Sequence, residues 1–144
     1  MVAISDSLTW QLISQNNSFL HKKNGRSSRT GAIRFSKEKA NVMSLSTFKY
    51  SGIANSRATS VTVAEDSKGN TFPVLVKKTS KGKTVTIPLN KNFRSAVKTV
   101  TSQNNRADLT ANLKAKYAGI YNGNMAKKEM RKKTVVKVGR NGGI

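Results

Sequence analysis

The sequence predicts an α+β fold: a small antiparallel sheet with a short N-terminal helix, two C-terminal helices and an extended basic C-terminal tail. Three observations predict it. β-branched runs and turn residues come early in the chain, apolar residues recur at 3.6-residue spacing after them, and this periodicity fades beyond Met125, where cations accumulate. We therefore expect a β-rich core over residues 1–88, a helical pair over residues 89–123 and a basic extension over residues 124–144.

The N-terminal helix is predicted by an apolar side that includes Leu8 and Leu12. Ser5 or Ser7 can cap its first turn, because a serine hydroxyl accepts hydrogen bonds from backbone N–H groups that have no partner in the helix. Residues 16–18, Asn-Asn-Ser, should end it.

The segment after this helix is predicted to contain one strand and a long loop. Residues 18–23 are interpreted as a strand, closed by the turn dipeptide Asn24-Gly25. Residues 26–47 have no clear period and are interpreted as a basic, loop-like segment. For Phe48-Lys49-Tyr50, a strand with its aromatic side chains inward is favoured over a base-stacking surface.

A hairpin is predicted from the β-rich runs 58–63 and 71–76, since the polar residues 65–70 between them have turn chemistry. Proline cannot donate a hydrogen bond to a neighbouring strand, so Pro73 predicts that the second run is an edge strand or starts late. Residues 84–87 are a further possible strand.

The two C-terminal helices are predicted from apolar stripes and capping residues. Asn90 or Asn92 can cap the first helix, Asp108 can cap the second, and residues 122–124, Asn-Gly-Asn, should end it. The stripes are Phe93, Ala96, Val97 and Val100 for the first helix, and Leu109, Leu113, Tyr117 and Ile120 for the second. The aromatic residues at apolar-face positions are predicted to pack in the core rather than stack on bases: Trp10, Phe19, Phe72, Phe93 and Tyr117.

The net charge requires a polyanionic partner. The 144 residues include 27 Lys and Arg against 6 Asp and Glu, which gives +21. A compact chain with this charge repels itself. The available partners are nucleic acid, an anionic membrane surface or an acidic protein. The membrane is disfavoured, because no stretch approaches the ~20 apolar residues of a spanning helix and the N-terminus has no basic leader.

The chain has few groups suited to catalysis or metal binding. His21 is the single histidine, there are no cysteines, and Glu65-Asp66 is the only adjacent acidic pair, in a predicted turn. We therefore expect no enzyme, no catalytic residues, no metal site, no cofactor and no small-molecule substrate.

The basic residues are the candidate RNA-binding residues. Each phosphate that they neutralise releases counterions, so about ten contacts predict a log–log salt slope of about −7 to −9. The tail lacks apolar content and is expected to become ordered on RNA. The candidates are Lys22, Lys23, Arg26, Arg29, Arg34, Lys49, Lys77, Lys78, Lys81, Lys83, Arg94, Lys98, Lys127, Lys128, Arg131, Lys132, Lys133, Lys137 and Arg140.

Short strings along residues 5–120 resemble one family, the eukaryote-specific ribosomal protein number twenty-eight of the large (60S) subunit. The strings, in order, are Leu8-x-Trp10, Asn16-Asn17-Ser18-Phe19-Leu20, Glu38-x-x-Asn41, Phe48-x-Tyr50-x-Gly52, the strand over 59–63, the Lys68-Gly69 turn, the strand over 74–78, Asn90-Lys91-Asn92 and Arg106-x-Asp108-Leu109. Lys39 and Ala107 stand where the family pattern leads us to expect prolines.

The resemblance implies a structural constituent of the cytosolic large ribosomal subunit that binds rRNA and neighbouring ribosomal proteins, one copy per ribosome, and supports translation. It implies a cytoplasmic location in ribosomes after assembly in the nucleolus. Two alternatives stay open: a free nucleic-acid-binding protein of the chromatin type, which the charge explains equally well, and a large-subunit assembly factor with a similar N-terminal domain.

Overall fold

The computed structural model describes residues 4–24, 29, 31–79 and 82–130, with only the backbone for residues 24, 32 and 127–130. It confirms the predicted α+β class. Its elements are α1 (Asp6–Ile13), β1 (Leu20–Asn24), β2 (Ala32–Ser36), β3 (Thr59–Glu65), β4 (Thr71–Lys78), β5 (Thr84–Pro88), α2 (Phe93–Gln103), a 3-10 turn (Ala107–Leu109) and α3 (Thr110–Met130). Residues 131–144 of the predicted basic extension lie outside the described residues, as does Gly25 of the predicted Asn24-Gly25 turn.

The main sheet is an antiparallel meander in the order β3-β4-β5. The predicted hairpin is confirmed, because β3 pairs with β4 from Thr59↔Lys77 to Glu65↔Thr71. Asp66 and Asn70 close the turn with a 2.9 Å hydrogen bond between the Asp66 N–H and the Asn70 carbonyl. Gly69 adopts a φ of 73° in this turn, a conformation that glycine reaches without strain.

The prediction that Pro73 marks an edge strand or a late start is wrong, since β4 begins at Thr71 and lies in the centre of the sheet. The Pro73 carbonyl accepts the Leu89 N–H at 3.0 Å, so this residue directs its backbone polar groups toward the β5 side. Pairing with β5 starts only at Val74↔Pro88. The β4–β5 pairing therefore requires no hydrogen bond from the backbone nitrogen of residue 73, where proline has no N–H to donate.

The core lies where α2 and α3 pack on this sheet. α3 contacts β3, β4 and α2. Leu75 at the centre of β4, Val100 of α2 and Leu113 of α3 are fully buried and belong to one cluster. Burial of each such side chain contributes about 1.5–3 kcal/mol, so the predicted apolar stripes of the two helices define the core.

The prediction that residues 122–124 end the last helix is wrong, because α3 continues to Met130. Gly123 is not among the glycines with positive φ, so it does not adopt the left-handed conformation that ends helices. Asn124 accepts a 3.1 Å hydrogen bond from the Thr71 hydroxyl, which joins this part of the helix to β4. Tertiary contact thus overrides the local stop signal.

A second sheet has two strands: β1 confirms the strand predicted over residues 18–23, whereas β2 lies in the segment that was interpreted as a loop. β1 and β2 pair antiparallel from Leu20↔Ser36 to Asn24↔Ala32. Phe35 also forms an isolated bridge with Leu45, which joins this pair to the following segment. We call the β1–β2 pair the ribbon.

Residues 48–50 form a turn instead of the predicted strand. Phe48 is 41% exposed, whereas Tyr50 packs against the core. The turn is fixed by the buried carboxylate of Glu38, which accepts the Gly52 N–H at 2.5 Å and the Ile53 N–H at 3.3 Å.

The predicted burial of aromatic residues is confirmed for Tyr117, which is fully buried, and is wrong for Phe19, which is 42% exposed. The rings of Trp10 and Phe48 pack in a tilted arrangement, with centroids 6.1 Å apart and planes at 41°. α1 itself has no buried residue. Ser5 is its cap, accepting the Leu8 N–H at 3.3 Å.

Candidate nucleic-acid interface

The few acidic side chains are mostly engaged within the protein. Glu38 is buried against the turn described above. Asp6 accepts hydrogen bonds from the Ser56 N–H and hydroxyl at 3.0 and 3.1 Å. Among the described residues, the single ion pair is that of Arg106 with Asp108 at 2.7 Å, and hydrogen bonding to this guanidinium lowers the pKa of Asp108. Most surface cations therefore have no carboxylate partner in the described structure.

The first group of predicted residues lies on or near the ribbon. Lys22 and Lys23 are exposed on β1, and Arg34 of β2 stands directly opposite Lys22. Arg29 is exposed between the strands. Arg26 lies outside the described residues. Side chains alternate between the two faces of a strand, so Lys22 and Arg34 share one face and Lys23 points to the other.

The second group, at the end of β4 and the start of β5, is partly used inside the protein. Lys77 donates to Gln103 Oε1 at 2.9 Å, which joins β4 to the end of α2. Lys78 donates to the carbonyls of Ile53 and Asn55 at 3.1 and 3.3 Å. Both are half-buried, whereas Lys83 is exposed. The predicted Lys81 lies outside the described residues.

A groove of about 350 Å³ beside Lys77 is lined by Arg57, Lys77, Thr79 and Asn105. Two cations, a hydroxyl and an amide in one open groove match the donors that bind a phosphate oxygen. Arg57 was missed by the sequence prediction because it stands alone in the chain, and only the folding of β4 beside it completes the groove.

The cations of α2 lie as predicted. Arg94 and Lys98 are exposed one turn apart, while Ala96 and Val100 on the opposite stripe are buried. Lys49 is also exposed, with its Nζ 5.7 Å from the centroid of the Tyr50 ring.

The remaining predicted residues belong to the C-terminal cluster. The side chains of Lys127 and Lys128 on α3 are not described, and the tail residues lie outside the described part of the chain. Those tail residues are Arg131, Lys132, Lys133, Lys137 and Arg140.

One lysine that the sequence did not single out is half-buried and hydrogen-bonded inside the protein. Lys116 of α3 donates to the Asn41 carbonyl at 3.0 Å and to the Ser60 hydroxyl at 3.1 Å. Burial lowers its pKa. This cation joins α3 to β3 and is unsuited to phosphate binding.

The described residues contain no cluster of three His, Cys, Asp or Glu side chains placed to hold a metal ion. Within the same part of the chain, none of the helices combines the length and apolarity needed to span a bilayer. A cleft of about 280 Å³ between β4 and α3 includes Thr71 and Asn124, whose side chains hydrogen-bond to each other.

Fold and surface together define a class: a small, strongly basic α+β protein with a modest core and solvent-facing cations. The Ribosomal L28e protein family matches residues 8–123, and the chain belongs to this family. The large ribosomal subunit protein eL28 of Caenorhabditis elegans is 41% identical over 61 residues, which cover 42% of this chain and 44% of the worm protein. The matched part thus spans less than half of that relative. The family expected from the ordered strings is confirmed.

Proposed function

We propose that this protein is a structural constituent of the large ribosomal subunit of a eukaryote, where it binds rRNA by neutralising phosphate and supports translation. One observation carries the proposal: most surface cations of the described fold have no carboxylate partner, in a chain of net charge +21. Such a surface gains affinity for a polyanion through counterion release. Membership of a ribosomal protein family favours rRNA as that polyanion.

The exposed cations among the predicted RNA-binding residues are proposed to contact phosphate, and the cations that hydrogen-bond inside the protein are proposed to hold the fold. The first class includes Lys22, Lys23, Arg94 and Lys98, which are all exposed. Lys116 belongs to the second class. The tail cations are assigned to the first class from their sequence alone, and we propose that residues 131–144 become ordered on rRNA.

The partners and location follow from the same proposal. The protein binds large-subunit rRNA and adjoining ribosomal proteins, in one copy per ribosome, without a cofactor or catalytic step. Its location is the cytoplasm after assembly of the subunit in the nucleolus. The division into a core over residues 1–88, a helical pair over 89–123 and a basic extension from 124 is part of the proposal, with the extension starting inside α3.

Sedimentation of the tagged full-length chain from eukaryotic cells tests the proposal. We expect the chain to sediment with polysomes and, after magnesium chelation, with free large subunits. Accumulation in particles that never enter polysomes would identify an assembly factor instead. Sedimentation with chromatin, or at the top of the gradient, would contradict the proposal.

A paired substitution tests the role of charge. We expect Arg94→Gln with Lys98→Gln to lower the salt concentration at which the protein is stripped from large subunits, because two cations that bind phosphate are removed. Lys68→Gln is the matched control, since Lys68 is exposed at the β3–β4 turn near the acidic residues Glu65 and Asp66. Equal effects of the two changes would argue against specific contacts by α2.

A further inference from the structure

One face of the ribbon combines apolar and basic side chains in alternation. His21 pairs with Phe35, and Lys23 pairs with Ile33. The Lys37 N–H donates to the Phe19 carbonyl at 3.0 Å, which extends the same register by one position. Paired residues of antiparallel strands direct their side chains to the same face. We call this set of six residues the ribbon face: Phe19, His21, Lys23, Ile33, Phe35 and Lys37.

The ribbon face is uncovered in the described structure. Phe19 is 42% exposed, Ile33 49% and Phe35 44%. His21, Lys23 and Lys37 are exposed as well. The opposite face is more covered, with Ser36 buried and Leu20 and Arg34 half-buried. The ribbon therefore directs its two phenylalanines toward solvent.

The charges around this face indicate an anionic occupant. Lys23 and Lys37 are next to the apolar side chains, and the face contains no acidic residue. On the other side of the ribbon, Lys22 stands directly opposite Arg34. Like charges in a cross-strand pair destabilise the pairing, and a two-stranded sheet is only marginally stable by itself. A partner that binds the ribbon face, with anions beside Lys23 and Lys37 and flat apolar surfaces against the phenylalanines, would stabilise this marginal sheet.

We propose that the ribbon face binds unpaired RNA bases, which stack on the rings of Phe19 and Phe35, while Lys23 and Lys37 contact the phosphates that flank them. This inference rests on the proposed rRNA binding and names the form of RNA that the ribbon recognises. Base stacking on aromatic side chains beside cations is the usual way that proteins hold single-stranded nucleic acid. Duplex RNA is excluded as the occupant, because its bases do not present their flat faces. An apolar protein partner fits less well, since Lys23 and Lys37 would lose solvent without gaining an anion.

Binding of two probes by the full-length chain separates stacking from charge. The first is a fluorescently labelled oligouridine of about a dozen nucleotides, a length within the usual range of single-strand sites. The second is an abasic oligonucleotide of the same length, which keeps the phosphates and lacks the bases. The variants are Phe19→Leu and Phe35→Leu, which remove the ring and keep an apolar side chain. Phe48→Leu is the matched control, because Phe48 is exposed to a similar degree, 41%, and lies outside the ribbon.

We expect Phe19→Leu and Phe35→Leu each to weaken oligouridine binding by at least about fivefold, with little change in abasic binding and in the salt slope. Phe48→Leu should match the unchanged chain. Normal binding of both probes by all variants would overturn the stacking proposal and leave the proposed function standing. Absence of salt-dependent binding to either probe by the unchanged chain would instead count against the proposed function itself.

A protein occupant would give a third result. The two ring substitutions would then weaken association with large subunits and leave oligouridine binding unchanged, which overturns the proposal. Because a substitution in the ribbon can also disturb its folding, the unchanged chain provides a second readout. Oligouridine should shift the ring-proton resonances of Phe19 and Phe35 upfield, and the abasic probe should not. Equal shifts with both probes would contradict base stacking.

Discussion

Among the described residues that have a buried polar atom without a hydrogen-bond partner, Tyr117 is the most completely buried. Its side chain is fully buried, and its hydroxyl has no hydrogen-bond partner among the described residues. Its ring stacks on Phe93 at a centroid distance of 5.5 Å and lies 6.1 Å from that of Tyr121. Burial, with a smaller effect of Tyr121, raises the pKa of Tyr117. The ring therefore stabilises the core, while the hydroxyl is a desolvated group that costs free energy.

We predict that Tyr117→Phe leaves the free energy of unfolding unchanged or raises it by up to about 1 kcal/mol, since it removes only the unpaired hydroxyl. Tyr117→Ala should lower it by about 3–5 kcal/mol, because the ring is removed. Tyr50→Phe is the control: the Tyr50 hydroxyl accepts a 3.3 Å hydrogen bond from Asn112, so its removal should destabilise. Urea unfolding measures all three, and a clear destabilisation by Tyr117→Phe would contradict the prediction.

Lys116 gives a pH dependence that can be assigned to one side chain. Burial lowers its pKa below the ordinary value of 10.5. Between the lowered pKa and 10.5, the unfolded chain binds more protons than the folded chain. The contribution of Lys116 to the free energy of unfolding therefore rises with pH across this window, as the penalty for burying its charge disappears.

We predict that the unchanged chain becomes more stable relative to the Lys116→Met variant as the pH rises toward 10.5. The free energy of unfolding of the unchanged chain minus that of the variant should therefore increase with pH. Urea unfolding at several pH values measures it. Lys114→Met, at an exposed position of the same helix, is the control. The same pH trend in both variants would show that the effect belongs to net charge and not to the burial of Lys116.

At the scale of elements, α3 continues past an Asn-Gly-Asn sequence that is typical of a helix end. Gly119 and Gly123 lie inside the helix, and a Cβ at either position would meet no atom within 4 Å. Glycine inside a helix costs conformational entropy relative to alanine. We predict that Gly123→Ala raises the free energy of unfolding by about 0.4–1 kcal/mol. Thermal or urea unfolding checks it, and a destabilised variant would indicate that the helix ends at this residue.

Gly52 is a second glycine at which the same substitution is expected to have the opposite effect on stability. A Cβ there would lie 2.7 Å from the Ala40 Cβ and 2.9 Å from the Ala40 backbone carbonyl. Gly52→Ala should therefore destabilise the protein by about 1–3 kcal/mol. Glycine is required at this position because the Ala40 backbone lies close to it, and not because its φ is positive.

The elements that sequence patterns predicted are those whose signals are local. The β3–β4 hairpin has β-branched runs around a turn, and the stripes of α2 and α3 have a clear helical period. The ribbon was missed in its second half, because the apolar–polar alternation of β2 spans only the four residues from Ile33 to Ser36 and lies within a basic segment. Pro73 is compatible with a central β4 because the β4–β5 pairing stops at Val74↔Pro88, and no local signal encodes where that pairing stops.

The same limit applies to the candidate interface. The sequence identified the exposed cations of the ribbon and of α2, because charge and helical spacing are visible in the chain. It did not distinguish them from Lys78, whose ammonium hydrogen-bonds to backbone carbonyls within the protein. Arg57 and Lys37 became candidates only when folding brought them to the groove and to the ribbon face.

For the whole molecule, charge acts in opposite directions on folding and on binding. The net charge of +21 repels itself in the compact state, and added salt screens this repulsion. Under the proposed function, the same cations bind RNA by releasing counterions, so added salt should weaken binding. The proposal therefore implies that stability of the isolated chain is exchanged for affinity toward a polyanion.

This opposition yields a prediction for the tail. Replacing the tail cations with glutamine should reduce the magnitude of the log–log salt slope for binding to single-stranded RNA. The expected reduction is about 0.7 for each phosphate that is no longer neutralised, or roughly 3 to 4 if all five cations bind phosphate. The five positions are Arg131, Lys132, Lys133, Lys137 and Arg140. Fluorescence titrations over a range of potassium chloride concentrations measure the slope, with Lys68→Gln as the single-site control. A slope that stays unchanged would mean that the tail does not bind phosphate, and the folded surface would then have to provide all of the affinity.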